Sequence, residues 1–219
     1  MKKQLNILNK ELILLKRDEA IKGILLTGSV ACGTAFETSD LDLILLSNKD
    51  QFITKIIDDI LVETTFITFE KAKQKLQSNP IDVYHYLDSK ILYDNGQLFQ
   101  LLNEAHQIYD KYQTPKNEKK AICHWLKSTQ IKIKSAIDTN NDLMSDYYMS
   151  TNVWKLLEGI WAVNNKPMPP SSTTFRSYNN LHIIPFLNWF ESLFLTDKKQ
   201  RNQAMLQIID WLLPLLEQG

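Results

Sequence analysis

Gly23-Ile24-Leu25-Leu26-Thr27-Gly28-Ser29, followed after a short connection by Ser39-Asp40-Leu41-Asp42-Leu43-Ile44-Leu45-Leu46, is the stretch whose reading decides the fold. Ile24-Leu25-Leu26 is a short apolar run of the kind that forms a buried strand, and Gly28-Ser29 is its exit turn. A short helix opening there leaves backbone N–H groups free to hold phosphate oxygens, and the Ser29 hydroxyl can join them. Gly33 marks a close approach or a positive φ in the connecting loop. Asp40 to Leu46 alternates polar and apolar residues in its first half and is wholly apolar in its second, which reads as another strand. Residues i and i+2 of a strand share a face, so Asp40 and Asp42 project the same way, about 7 Å apart by strand geometry. Two like charges so placed repel, and a divalent cation is their natural compensation. Hard oxygen ligands with room for water and phosphate favour Mg²⁺, with Mn²⁺ as the alternative.

Outward from this stretch, Leu5, Leu8, Leu12 and Leu15 fall at helical spacing and predict an amphipathic helix over 3–18. Residues 49–60, with Phe52, Ile53, Ile56, Ile57 and Ile60, are expected to form a short helix ending at a solvated Asp58-Asp59. Leu61 to Ile67 is rich in β-branched and aromatic residues and reads as a third strand. At its centre stands Glu63, a carboxylate that needs a partner if buried. Asp82, in Ile81-Asp82-Val83-Tyr84, is the rival for third carboxylate. A polar helix over 71–77 and an extended piece at Ile91-Leu92-Tyr93, closed by Asp94-Asn95-Gly96, complete the first part.

From residue 97 onward the β-type runs stop. Segments 97–112, 117–138, 143–164 and 198–217 carry apolar residues at helical spacing. The expected class is α+β, with a mixed sheet and helices over 1–105 and a helical bundle over 106–219. In the second part Tyr147, Tyr148, Trp154 and Trp161 read as packing residues, and Lys155 and Glu158 as solvated helix charges. Lys166 and Arg176 flank a proline-rich loop from which they can reach a triphosphate. Arg176 and His182 fit a loose Arg-x5-His pattern, but the intervening sequence does not suit a continuous active-site helix.

Composition bounds the function. The 219 residues carry 25 Lys plus Arg against 25 Asp plus Glu, so no global field draws the chain to duplex nucleic acid or an anionic membrane. Cys32 and Cys123 lack metal-ligand spacing, and Cys32 reads as a small filler in the turn. No apolar stretch approaches a membrane span and the first residues do not resemble a signal peptide, so a cytoplasmic protein is expected.

Gly28-Ser29-x3-Gly33-x5-Ser39-Asp40-Leu41-Asp42-Leu43 resembles the signature of the nucleotidyltransferase superfamily that includes DNA polymerase beta and the antibiotic nucleotidyltransferases. The resemblance implies transfer of a nucleoside monophosphate from a triphosphate onto an acceptor, with release of pyrophosphate. It also implies two Mg²⁺ ions held by Asp40 and Asp42, and a triphosphate held by Gly28 and Ser29, with Ser39 preceding the first aspartate. Val62-Glu63-Thr64-Thr65 resembles the aminoglycoside adenylyltransferase branch, which implies Glu63 as the base; as a carboxylate in an apolar strand, Glu63 is equally suited to ligate a second metal ion. The implied reaction is adenylylation of a small hydroxylated acceptor such as an aminoglycoside-like antibiotic, an antibiotic-resistance activity. Two alternatives stand beside it: an antitoxin-type transferase that modifies a protein or a tRNA, and an inactive nucleotide-binding module. The acceptor, the base preference and the oligomeric state stay open.

Overall fold

A computed structural model describes residues 1–218, and these fall into two compact units. Met1–Lys111 with Pro169–Thr173 make the first, and Tyr112–Met168 with the chain from Thr174 onward the second.

The first unit is built on a five-stranded mixed sheet in the order β3-β4-β2-β1-β5. Its strands are β1 (Gly23–Thr27), β2 (Leu41–Leu46), β3 (Gln51–Ile57), β4 (Ile60–Ile67) and β5 (Lys90–Asp94). Helices α1 (Lys2–Leu15), α2 (Gly28–Cys32), α3 (Phe69–Ser78), α4 (Tyr84–Leu87) and α5 (Gln97–Lys111) accompany it. β2 lies between β1, antiparallel to it, and β4, parallel to it. Alternation sends Leu41, Leu43 and Leu45 into a core shared with Ile7 and Leu8 of α1. Leu46 points the other way, into a core with Leu76 of α3 and Leu98 and Leu101 of α5. These leucines are almost wholly buried, and truncating any one to Ala would cost about 2–5 kcal/mol.

Residues 51–57 form a strand, not the helix expected over 49–60. Ile53, Ile56, Ile57 and Ile60 sit at i, i+3, i+4 and i+7, which satisfies helical periodicity, yet the segment is dense in β-branched side chains. The turn decides the outcome. Asp58 and Asp59 both adopt left-handed backbone, at φ 49° and 61°, the conformation of a two-residue hairpin whose twist suits the flanking strands. β3 and β4 then pair antiparallel from Ile57↔Ile60 to Gln51↔Phe66. As a result Glu63 lies on an interior strand. The buried face of α1 also differs from expectation: Gln4, Ile7 and Leu8 are buried, whereas Leu5 is exposed.

The second unit is helical: α6 (Lys116–Asp138), α7 (Asp142–Val163), the later part of α8 (Ser171–Ser177), α9 (Trp189–Ser192) and α10 (Lys198–Gln218). Ile122, Leu126 and Ile133 of α6, Leu156 and Ile160 of α7, and Ile208 and Leu212 of α10 share one core. Trp161 is buried within it, while Tyr147 and Trp154 are exposed. α8 ends at Ser177 and a 3-10 turn follows over Tyr178–Asn180, so Arg176 and His182 do not share a helix. Among the described residues, no helix is long and apolar enough to cross a membrane.

Candidate active site

β1 delivers the chain to Gly28, where the backbone turns left-handed at φ 66° and α2 begins. Glycine is required here twice over. An L side chain is strained at that φ, and a Cβ at this position would lie 2.0 Å from Asp42 Oδ2. The Asp42 carboxylate therefore rests against the backbone at Gly28, where α2 begins. Gly33 ends α2 in the left-handed region, at φ 75°.

Sheet register places the next two groups. Asp42 of β2 is opposite Thr27 on one side and Glu63 of β4 on the other, and Glu63 is opposite Thr54 of β3. Asp40 precedes β2 on the loop leading into it. Asp40, Asp42 and Glu63, all half-buried, each offer one carboxylate oxygen within 4.8 Å of the others. Burial, with the charges of Asp40 and Glu63, raises the Asp42 pKa from 3.8 to about 6. The site thus holds negative charge that the fold leaves underneutralised. A hard divalent cation fits this donor set, since carboxylate oxygens at such spacing supply anionic ligands while leaving room for phosphate and water.

Ser29 carries a second unmet demand. Its Oγ is buried and has no hydrogen-bond partner, an arrangement that is costly unless a ligand completes it. Ser39 is used differently: its Oγ accepts the Phe36 backbone N–H at 2.9 Å and closes the loop before Asp40.

Among the expected site residues, the structure brings together Gly28, Ser29, Asp40, Asp42 and Glu63, all in the first unit. Asp82 lies instead in a 3-10 turn, accepting from Asn79 Nδ2 at 3.1 Å and standing 3.9 Å from His85 Nε2. Lys166, just after α7, and Arg176, on α8, belong to the second unit. Lys155 and Glu158 in that unit pair with each other, so each charge is compensated locally. Cys32 Sγ donates to the Asp88 carbonyl at 3.5 Å, a structural role.

Sequence reasoning missed Gln4. Its side chain is fully buried, and its Nε2 donates to the carbonyls of Phe36, Glu37 and Ser39 at 2.9, 3.0 and 3.0 Å. The available signal was its spacing, because Gln4 falls one helical turn before Ile7 and Leu8 on the apolar side of α1.

A mixed sheet presenting adjacent carboxylates beside a strand-to-helix turn is an arrangement chemically suited to a divalent cation and a phosphate. The family model for the nucleotidyltransferase domain matches residues 8–135, and the chain belongs to that family. It is therefore a nucleotidyltransferase, a class that acts on a nucleotide substrate with divalent metal. A nucleotidyltransferase-like protein from Exiguobacterium sibiricum 255-15 is similar in structure at 12% identity and a TM-score of 0.46, over 90% of this chain and 70% of that one. No curated protein matches the sequence.

Proposed function

We propose that this nucleotidyltransferase moves AMP from ATP onto a hydroxyl of a small acceptor of the aminoglycoside-like antibiotic class. The observation that supports this reading best is the convergence of Asp40, Asp42 and Glu63 within 4.8 Å of one another, next to a turn with an unpartnered buried Ser29 hydroxyl. Asp40, Asp42 and Glu63 would hold Mg²⁺, which when bound neutralises the polyphosphate and makes the α-phosphorus a better electrophile.

The chain's own residues account for the remaining chemistry. The backbone N–H groups at Gly28 and in the first turn of α2 donate to phosphate oxygens, and the Ser29 hydroxyl donates to the same group. Ser39 secures the entry to Asp40. Glu63 takes the proton of the acceptor hydroxyl. That oxygen bonds to the α-phosphorus while the bond from phosphorus to the bridging oxygen breaks, and pyrophosphate leaves with the electron pair. Holding the reacting groups in line lowers the barrier mainly through positioning and charge stabilisation.

A screen of the four nucleoside triphosphates with Mg²⁺ against aminocyclitol and lincosamide acceptors tests the proposal. The expected result is pyrophosphate release and an acceptor heavier by AMP, both abolished in Asp40→Asn and Asp42→Asn. Turnover only on a co-purified protein or RNA would redirect the acceptor assignment. Triphosphate binding with no product from any acceptor would contradict it.

A further inference from the structure

We infer that Gln4 is a positioning residue that sets the Asp40 carboxylate for metal binding, an inference that rests on the proposed metal site. Asp42 and Glu63 are fixed by their opposed places on β2 and β4. Asp40 has no such support: it lies outside β2, at the end of the loop through Phe36, Glu37 and Ser39. The carbonyls of those three loop residues converge on one nitrogen, Gln4 Nε2, at 2.9, 3.0 and 3.0 Å. The Ser39 carbonyl belongs to the peptide group that joins Ser39 to Asp40, so the clamp grips an oxygen two bonds from the Asp40 backbone nitrogen.

The clamp's chemistry argues for geometry over stability. An amide nitrogen has two hydrogens, so three carbonyls share two donors. The amide cannot be flipped, because Oε1 would then face three carbonyl oxygens. In the orientation present, Gln4 Oε1 is buried with no hydrogen-bond partner. A half-satisfied amide in a core is a poor device for stability alone. It is an effective one for drawing a loop to a single point. The loop needs that restraint, since bringing Asp40 within 4.8 Å of Asp42 and Glu63 works against like-charge repulsion. With the clamp cut, the Asp40 carboxylate can retreat and the first ion loses a ligand.

Mn²⁺ titration of the full chain, read by electron paramagnetic resonance without nucleotide or acceptor, tests this directly. Gln4→Met keeps the volume and removes the donors, and should weaken Mn²⁺ binding at least about tenfold while the helical content holds. Leu8→Ala, which loosens the packing of the same helix but keeps the amide, should leave Mn²⁺ affinity within about twofold of the unaltered protein. In an Asp40→Asn background, Gln4→Met should cause no further loss, because its effect passes through Asp40. If Gln4→Met does not fold, Gln4→Asn draws the amide back by one methylene and should weaken Mn²⁺ binding less steeply but measurably. Unchanged affinity in the folded Gln4 variants, or an equal loss in Leu8→Ala, would overturn the inference and leave the metal site standing. Absence of Mn²⁺ binding by the unaltered chain would overturn both.

Discussion

The helical unit and the Asp42 cluster of the sheet unit treat their carboxylates in opposite ways, although elsewhere in the sheet unit Glu11 and Glu104 are paired with Lys55 and Lys73. In the helical unit each buried or half-buried acid has a cation: Asp146 is 3.3 Å from Lys198 and also accepts from Arg201, and Glu158 is bridged to Lys155. In the sheet unit the nearest charges to Asp42 are those of Asp40 and Glu63, and its pKa rises to about 6. Charge in the helical unit is spent on structure. The Asp42 cluster of the sheet unit keeps charge in reserve, and a fold that tolerates such repulsion points to a ligand that relieves it.

Removing the reserve should have the largest effect. Asp42→Asn is expected to lower nucleotidyl transfer by about 10³-fold or more, read as pyrophosphate release. The same change should help the metal-free fold. A carboxyl whose folded pKa is raised from 3.8 to about 6 contributes stability that is full below about pH 4 and lost as pH climbs through 6. Thermal melts in chelator should therefore show Asp42→Asn more stable relative to the unaltered protein at pH 8 than at pH 4. Divalent-ion affinity should weaken as pH falls below about 6. A lower melting temperature for Asp42→Asn at pH 8 would erase the contrast between the units.

Gly28→Ala comes next. The added methyl is strained at φ 66° and meets Asp42 Oδ2, so the variant should lose about 1–2 kcal/mol of stability in denaturant melts. It should also lose most of its metal affinity. In the helical unit, Asp146→Asn strips two cations of their partner and should lower stability by about 1–3 kcal/mol, with Mn²⁺ affinity unchanged. A loss of metal binding there would mean that the two units' charges are not separable. The smallest effect is expected from Lys127→Ala, which breaks an exposed pair with Glu217 and should move the melting temperature by no more than about 1 °C.

Much of this contrast was legible in the sequence, because period-2 alternation and a strand-ending glycine are local signals. Asp40-Leu41-Asp42 ahead of Leu43 to Leu46 could form little else than a strand entering a core. Glu63 was legible as a polar residue in an apolar strand, although its alignment with Asp42 depends on the crossover through β3, which was misread. There the four isoleucines fit helix and strand alike, and the left-handed Asp58-Asp59 turn carried the answer. Gln4 was the least legible. Its role comes from contacts with residues more than thirty positions away, and only its place on the apolar side of α1 hinted that it was buried. Lys166 and Arg176 show the same limit, since positions on a separate helical unit are not tied by spacing to a site on the sheet.

The central claim is that Asp40, Asp42 and Glu63 hold the metal while Gly28 and Ser29 hold the phosphates. Anomalous diffraction from crystals soaked with Mn²⁺ and a non-hydrolysable ATP analogue tests it most directly. The account predicts manganese peaks bonded to Asp40, Asp42 and Glu63, with a phosphate oxygen on the Ser29 hydroxyl. Manganese or nucleotide bound elsewhere on the chain, with the three carboxylates unliganded, would contradict it.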